Sequence, residues 1–387
     1  MTSEASIRFH DLKQSDGRLD LVVTYTGNSE KLWFEHPIDG NIDQNNLAIA
    51  LSTLAGTKFD EIVFDFPVDP LVAKGIEDWT KSEVIAEVAQ PAGGPEEPPE
   101  SESVVLNFSG GFDSLAAKCL LPESASLVSL DFGGRFSREK KFFSQFDTLT
   151  VKTNLVETNL RSHSWSFMGI GPLLLRQAIN SHYFAFGGIL EATGFRRLDP
   201  KALGFTFPPF RLAGFQSVSP VQGITEFGTA RILMSHCPDL VEKSLRSLAS
   251  PGEEKFIRKT LITRVVAEMM GMTVDTPKLP RCPKVHYEFG RNFAVDITAL
   301  YFLSLGLGGY ADMLVTGIPA AVRNQAMTSD FRFMEKAHDK YYEGYPADLR
   351  GCLENGLQRS SMRWYDERDH RNLEALRDLL NPFYDFG

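Results

Sequence analysis

Six consecutive residues, Ser109 to Ser114 (SGGFDS), combine backbone freedom and polar side chains in a way that suits phosphate binding. The two glycines lack a Cβ, so a ligand can approach the backbone closely. Helically spaced apolar residues predict a helix from Phe112, and the free N–H groups of its first turn favour an anion. Asp113 adds a carboxylate and Ser114 a second hydroxyl. The alternative is an ordinary turn in which Ser109 caps the helix.

The residues before this loop predict the strand that must position it. Val104–Phe108 is a short β-prone run, typical of a strand buried on both faces of a parallel sheet. The stretch therefore has a strand–turn–helix context. It is not a Walker A loop, because the Gly-Lys-Ser/Thr ending is missing.

The string SGGFDS resembles the SGGxDS signature of the PP-loop ATP pyrophosphatases. Those enzymes hold the pyrophosphate of ATP in this loop and cleave ATP between the α- and β-phosphates. The resemblance implies ATP and Mg²⁺ as cofactors, and it implies that Asp113 helps to organise the loop and the metal and serves catalysis. It also implies phosphate contacts from Ser109, Gly110, Gly111 and Ser114.

The second predicted strand, SLVSLDF (126–132), ends in a group of candidate site residues. Asp131 could contact a ribose or a metal, Gly133 permits close backbone approach, and Arg135 could neutralise a phosphate or a substrate carboxylate during catalysis. The string DFGGR resembles the YGQR element of 7-cyano-7-deazaguanine synthase and its relatives, with Gly134 in place of the glutamine. A glycine turn with a solvated arginine is the alternative.

The fourth predicted strand, HYFAFGG (182–188), ends in two further glycines. PP-loop enzymes have a glycine at this strand end and an acidic residue shortly after it. The resemblance implies nucleotide contacts from Gly187 and Gly188, and a role for Glu191, with Asp113, in Mg²⁺ binding and catalysis. Alternatively, Glu191 begins a helix and is stabilised by the helix dipole.

The segment Val218–Leu233 (VSPVQGITEFGTARIL) resembles the P-L-x-x-x-(S/T)-K-x-E element of the same superfamily. Glu226 stands where the family keeps a lysine that binds phosphate. Another group must then supply the positive charge, or catalysis is weakened. The candidates are the cations near this segment or further along the chain, namely Arg211, Arg231, Lys255, Arg258 and Lys259.

Alternation of strand and helix signals from residue 104 predicts an α/β fold with a doubly wound parallel sheet, similar to the adenine nucleotide alpha-hydrolases that the resemblance implies. Ligands bind such sheets at the carboxyl ends of the strands, which is where the loop lies. We predict a small α+β domain at 1–89, a Pro/Glu-rich linker at 90–103, a PP-loop ATP-binding domain at 104–290 and a helical region at 291–387.

The four cysteines are far apart in sequence and form no CxxC pair, so we expect reduced thiols. The segment Leu279–Asn292 resembles the zinc-binding end of deazaguanine synthases, but a single cysteine is left there. Cys282, His286 and Glu288 could in principle share a metal, and we predict no zinc.

The composition limits the classes of partner that we expect for this protein. The 387 residues have a net charge of −10, which argues against a nucleic-acid or anionic membrane surface. No apolar run approaches the roughly 20 residues that span a bilayer, and no signal peptide is evident, so we expect a cytoplasmic location. The N-terminal module could bind a protein partner or a second copy of the chain.

Three functions are compatible with the sequence. The first is an ATP-dependent, AMP-forming ligase that activates a small-molecule or protein-borne carboxylate, or an amide, for attack by a nitrogen nucleophile. The second, which the cysteine pattern disfavours, is thiolation. The third is a nucleotide sensor or scaffold that has lost catalysis, and Glu226 is the residue that favours it.

Overall fold

The structure, a computed structural model, describes residues 4–89, 103–192, 195, 206–280 and 283–386. The described residues fall into two compact units. The first unit lies within Met1–Ser109, Glu123–Ala185 and Phe205–Val218, and the second within Gly110–Pro122, Phe186–Gly204 and Ser219–Gly387. These limits differ from the predicted domain boundaries, which stay predictions. Apart from Ser103, the predicted linker lies outside the described residues.

In the described part of the chain, the first unit contains a sheet of ten strands. They are β1 (Glu4–Ser15), β2 (Arg18–Tyr25), β3 (Asn28–Glu35), β4 (Phe59–Val68), β5 (Glu83–Val88), β6 (Val104–Asn107), β7 (Ser126–Asp131), β8 (Leu149–Thr153), β9 (Tyr183–Ala185) and β10 (Gln216–Val218). Their order is β10-β9-β6-β7-β8-β3-β2-β1-β4-β5. Neighbours are parallel from β10 to β8 and from β1 to β5, and antiparallel from β8 through β3 and β2 to β1.

The described residues combine this mostly parallel sheet with α-helices, which confirms the predicted α/β class. In chain order they are α1 (Gln44–Ala55), α2 (Pro70–Thr80), α3 (Phe112–Cys119), α4 (Ser137–Phe143), α5 (Ile170–Leu174), α6 (Arg176–Ile179), α7 (Pro208–Leu212), α8 (Glu226–His236), α9 (Pro238–Leu248), α10 (Glu254–Met269), α11 (Phe293–Ser304), α12 (Gly308–Leu314), α13 (Ala320–Thr328), α14 (Ala347–Arg359) and α15 (Glu367–Leu380).

The strand order reverses at β6. The chain runs from β6 to β7 and β8 on one side, and returns to β9 and β10 on the other. In open parallel sheets, the carboxyl ends of the strands at such a reversal are the usual ligand-binding edge. The four strands predicted between residues 104 and 188, of which the third is TLTVKTN (148–154), are confirmed as β6, β7, β8 and β9.

Local sequence signals explain the N-terminal elements. Asp16-Gly17 between two β-prone runs predicts a hairpin, and Gly17, with φ +71°, closes the β1–β2 hairpin there. The side chain of Asp43 accepts hydrogen bonds from the first turn of α1. The stretch NNLAIALSTLAG (45–56) predicts a helix closed by Gly56, and α1 ends at that glycine. Asp69 caps α2, a helix that the sequence analysis did not identify. Inside this unit the buried rings of Phe9 and Phe64 stack at a centroid distance of 5.5 Å.

The second unit is mainly helical. Helix α3 packs against α8 and α9, α8 packs against α10, and α11 packs against α12 and α13. Two short strands, β11 (Tyr287–Glu288) and β12 (Val315–Thr316), form a parallel pair that the sequence analysis missed. Among the described residues, no helix has both the length and the apolar character needed to cross a membrane.

The sequence pattern predicts one helix at residues 171–181 (GPLLLRQAINS) and one amphipathic helix at residues 329–342 (SDFRFMEKAHDKYY), and both predictions are wrong in detail. Residues 171–181 form two short helices, α5 and α6, because the backbone leaves the helical region at Leu175. Residues 329–342 form two 3₁₀ turns, Arg332–Glu335 and Asp339–Tyr342, instead of one amphipathic helix. The backbone of Ala337 bonds to Arg363 and Tyr365, so it cannot continue a helix there.

Candidate functional site

The loop that leads from β6 into α3 is held by hydrogen bonds within the second unit. Gly110 has φ +75°, a left-handed conformation that favours glycine. The Gly110 carbonyl accepts a hydrogen bond of 2.9 Å from the hydroxyl of Ser244 in α9. The Ser114 hydroxyl donates to the carbonyl of Gly111 at 3.1 Å, and Gly111 precedes the first turn of α3. Ser109 belongs to the first unit and is exposed.

Gly187 lies against this loop, and Gly188 does not. A Cβ added to Gly187 would lie 2.6 Å from the amide nitrogen of Ser114 and 2.8 Å from the carbonyl carbon of Asp113. A Cβ on Gly188 would meet no atom within 4 Å. The sequence analysis gave both glycines the same role, whereas the structure gives only Gly187 a packing reason to be glycine.

Asp113 is the first residue of a charge network that runs from α3 into α8 and α10. Its Oδ1 accepts hydrogen bonds from Lys259 Nζ at 2.8 Å and from Thr229 Oγ1 at 3.1 Å. The Lys259 side chain is fully buried, and 28% of the Asp113 side chain is exposed. Lys259 Nζ also lies 5.7 Å from the centroid of the Phe112 ring, within the range of a cation–π interaction. Asp113 is therefore fixed at the start of α3.

Glu226 is flanked by two buried cations. Lys259 Nζ lies 3.1 Å from Glu226 Oε1, and Arg258 Nη1 donates to Glu226 Oε2. Arg258 also donates through Nε to Glu254 Oε1 at 2.6 Å. The network thus joins three carboxylates and two cations.

Of the five cations proposed from sequence to supply the missing positive charge, two belong to this network, Arg258 and Lys259. The others lie elsewhere: Arg231 donates to the carbonyl of Ser360, Lys255 is exposed, and Arg211 belongs to the first unit.

The network sets the ionisation of its members. Burial by itself would raise the pKa of Glu226, but Arg258 and Lys259 outweigh that effect and hold the pKa at about 2. Burial would lower the pKa of Lys259, but Asp113 and Glu226 outweigh it and raise the pKa. Glu226 and Lys259 are therefore both charged at neutral pH.

Glu191 has a different environment. Its Oε1 accepts a hydrogen bond of 2.8 Å from the backbone N–H of Glu226, and its buried Oε2 has no hydrogen-bond partner. Burial, and next the nearby carboxylate of Glu226, raise the pKa of Glu191 to about 8. Glu191 is therefore largely protonated at neutral pH in the absence of a cation.

The raised pKa of Glu191 in the folded chain predicts how this residue changes stability with pH. Its pKa is about 8 in the folded chain, against an ordinary glutamate value of 4.5, so between these values the folded chain keeps a proton that the unfolded chain releases. The contribution of Glu191 to stability is highest below the lower value and falls as pH rises through the window, by at most about 1.4 kcal/mol per pH unit. We expect Glu191→Gln, which removes this titration, to gain stability relative to wild type from about pH 5 to about pH 8.

Urea denaturation of both chains across this pH range measures the difference, with Glu123→Gln, at an exposed position, as the control. If the difference in unfolding free energy between wild type and Glu191→Gln stays constant with pH, Glu191 is ionised in the folded chain across this range.

Three further residues from the sequence analysis lie in the first unit. The buried Asp131 accepts a hydrogen bond from the N–H of Gly133 at 2.9 Å, and its Oδ2 lies 2.6 Å from Lys140 Nζ. Gly133 has φ +62°, which favours glycine. The guanidinium of Arg135 is exposed and lies 4.8 Å from the centroid of the Phe136 ring. The structure therefore brings Asp131 and Gly133 into contact.

Sequence reasoning missed Thr229 and Ser244 as partners of the loop. Thr229 follows Glu226 by three positions in α8, so the two lie on one face of that helix. That spacing was the available signal for Thr229. Ser244 had none, because nothing in the sequence of α9 pairs it with Gly110.

Cys282, around which the zinc prediction was made, lies outside the described residues. No protein-family model matches the chain, and no curated protein or solved structure matches it either.

Proposed function

We propose that the protein binds Mg²⁺–ATP at residues 109–114 and cleaves it between the α- and β-phosphates. The AMP group would activate a carboxylate or an amide for attack by a nitrogen nucleophile. The observation that best supports this function is the hydrogen bond between buried Lys259 and Asp113 beside Glu226. Lys259 neutralises the Asp113 carboxylate beside the loop, although position 226 itself holds a glutamate.

The chain's own groups suit electrostatic catalysis. The N–H groups at the start of α3 provide donors for phosphate oxygens, and close packing of Gly187 keeps the backbone of Asp113 and Ser114 in one position. The buried Lys259 offsets the negative charge of Asp113, which reduces the repulsion between that carboxylate and a phosphate. Displacement at phosphorus depends mostly on alignment and charge neutralisation, so no covalent protein nucleophile is required.

Asp113 and Glu191 differ in how well they suit Mg²⁺ as ligands. Asp113 offers a partly exposed carboxylate at the loop, the hard oxygen ligand that Mg²⁺ prefers. Glu191 offers the unpartnered Oε2, but it must release a proton held by a raised pKa before it can serve as an anionic ligand. When bound, Mg²⁺ would neutralise the phosphate charge. Asp113 is therefore the better-supported ligand of the two.

The sheet supports the proposal at the level of fold. Numbered along the chain from β6, the five parallel strands have the order 5-4-1-2-3, the order of doubly wound nucleotide-binding sheets, and the loop follows the first of them. We accordingly propose an adenine nucleotide alpha-hydrolase-like fold. We also propose a cytoplasmic location and a small-molecule or protein-borne carboxylate as substrate.

Thiolation is less well supported. Cys119 and Cys237 face each other with their sulfur atoms 3.9 Å apart. Cys119 lies six residues after Asp113 in α3, so it is about 9 Å along the helix from the loop. The thiols are therefore remote from the proposed phosphate site.

AMP formation tests the proposed function. We expect the wild-type chain, incubated with α-³²P-labelled ATP, Mg²⁺ and a pool of carboxylate metabolites, to release labelled AMP. Asp113→Asn should lower the rate at least about ten-fold, since it weakens both the loop and its charge network. Asp239→Asn is the matched control, because Asp239 is also an acidic residue in the first turn of a helix but is exposed.

The other outcomes are equally informative. Labelled ADP would contradict cleavage between the α- and β-phosphates. ATP binding without turnover would favour the sensor function. AMP formation that Asp113→Asn leaves unchanged would contradict the assignment of the loop.

A further inference from the structure

A cluster of three potential metal ligands lies in the second unit. His338, Asp339 and His370 each offer one ligand atom, and these atoms lie within 4.8 Å of one another. Asp339 Oδ1 is 2.9 Å from His370 Nε2 and 3.6 Å from His338 Nδ1. Two donors bound to one zinc ion at about 2.1 Å are separated by about 3.0 to 3.4 Å. A single ion therefore fits with small side-chain movements.

One of these atoms, His338 Nδ1, has no close polar partner, and a second, Asp339 Oδ1, is held only by an ion-pair contact. His338 Nδ1 and Asp339 Oδ1 are buried and make no hydrogen bond, although His370 Nε2 approaches Asp339 closely. Only 2% of His338 is exposed. Buried polar atoms without partners are uncommon and destabilising, so this arrangement calls for a ligand.

We propose that His338, Asp339 and His370 form a binding site for a divalent transition-metal ion of the zinc class. Two imidazoles and one carboxylate make a mixed nitrogen and oxygen donor set, which suits zinc and its neighbours. Mg²⁺ and Ca²⁺ prefer oxygen ligands throughout. The site is thus chemically distinct from the Mg²⁺ site proposed at Asp113.

Backbone pairing fixes the position of His338 in advance. Ala337 donates to the carbonyl of Arg363 and accepts from the N–H of Tyr365, both at 2.9 Å. The N–H of His338 donates to the carbonyl of Gly223 at 2.8 Å. The His338 ring also packs on the Tyr365 ring, with their centroids 4.6 Å apart. Little ordering is therefore needed on binding, which favours affinity.

The other two ligands give an ion access from solvent. The side chain of Asp339 is 43% exposed, and that of His370 is 27% exposed. His370 extends from α15, whose first turn is stabilised by a capping box. Three protein ligands with one side open to solvent leave a coordination position for water or another small ligand.

Zinc binding tests the site. We expect the chelator-treated wild-type chain to bind one Zn²⁺ at this site, measured by competition with a chromophoric chelator. Asp339→Asn and His370→Gln should each weaken this binding by at least about ten-fold, since even losing an outer partner of a metal ligand has an effect of this size. Both substitutions are close in shape to the native residues and affect partly exposed positions, and an unfolding curve without zinc checks that each variant folds.

Matched variants separate this site from other sources of zinc affinity. His10→Gln removes a histidine in the first unit, while Cys119→Ser and Cys282→Ser remove thiols. All three should leave the affinity unchanged. The site is refuted if the wild-type chain binds no zinc, if the His370 and Asp339 variants bind it as tightly as wild type, or if only the cysteine variants lose it.

Discussion

Lys259→Met is expected to lower the free energy of unfolding by about 3–5 kcal/mol, the range observed when one partner of a buried ion pair is removed. Lys259 is fully buried, and its ammonium group contacts Asp113 and Glu226. Methionine keeps much of the side-chain volume but leaves both carboxylates without that cation. Chemical denaturation measures the loss, and the affinity for ATP should fall at least about ten-fold because Asp113 loses its position.

A neighbouring lysine provides the control. Lys255 lies one turn earlier in α10 and is exposed, so Lys255→Met should change stability by no more than about 0.5 kcal/mol. An equally small loss for Lys259→Met would show that the network does not stabilise the fold.

A double-mutant cycle isolates the pair. If Lys259 and Asp113 interact directly, Lys259→Met combined with Asp113→Asn should be less destabilising than the sum of the two single changes. Additive effects would assign the loss to Glu226 or to packing around the Phe112 ring instead.

The loop was predictable because its signal is local. A β-prone run, two glycines and a helical pattern occupy residues 104–121, and the structure has β6, a left-handed Gly110 and α3 there. The N-terminal hairpin and α1 were predictable for the same reason, since Gly17 and Gly56 end their elements by backbone conformation alone.

The charge network was not predictable to the same extent. Lys259 meets Asp113 across 146 positions of sequence, and no local pattern encodes that distance. Charged residues in a helix normally indicate its solvent face, but in α10 both Arg258 and Lys259 are buried because Glu226 and Glu254 compensate them. The sequence could therefore identify Arg258 and Lys259 as candidates for the missing positive charge. It could not distinguish them from the three other candidate cations.

The cluster of His338, Asp339 and His370 was missed for a different physical reason. Residues 329–342 have an amphipathic pattern, and a helix there would have turned His338 away from its observed position. The pairing of Ala337 with the segment around Trp364 prevails over that local preference. Tertiary pairing, not propensity, brings His338 to His370.

Gly187→Ala is expected to disrupt the loop more selectively than any charge change. The new methyl group would lie 2.6 Å from the Ser114 nitrogen and 2.8 Å from the Asp113 carbonyl carbon. Both are backbone atoms, so the contact can be relieved only by moving the loop or the segment that contains Gly187. A displacement of about 1 Å can lower the rate of a positional mechanism by about 100-fold, and we expect a loss of this size in AMP formation.

Gly188→Ala makes the same chemical change one residue away, where a Cβ meets nothing within 4 Å. It should leave AMP formation and stability close to wild type, whereas Gly187→Ala should also lose about 1–3 kcal/mol of stability from overpacking. Denaturation therefore tests the packing even if the nucleotide chemistry is different from the one proposed. If Gly187→Ala is destabilised but forms AMP at the normal rate, Gly187 matters to the fold and the loop beside it is not the site of cleavage. If both variants behave as wild type, the close approach of Gly187 to the start of α3 is itself wrong.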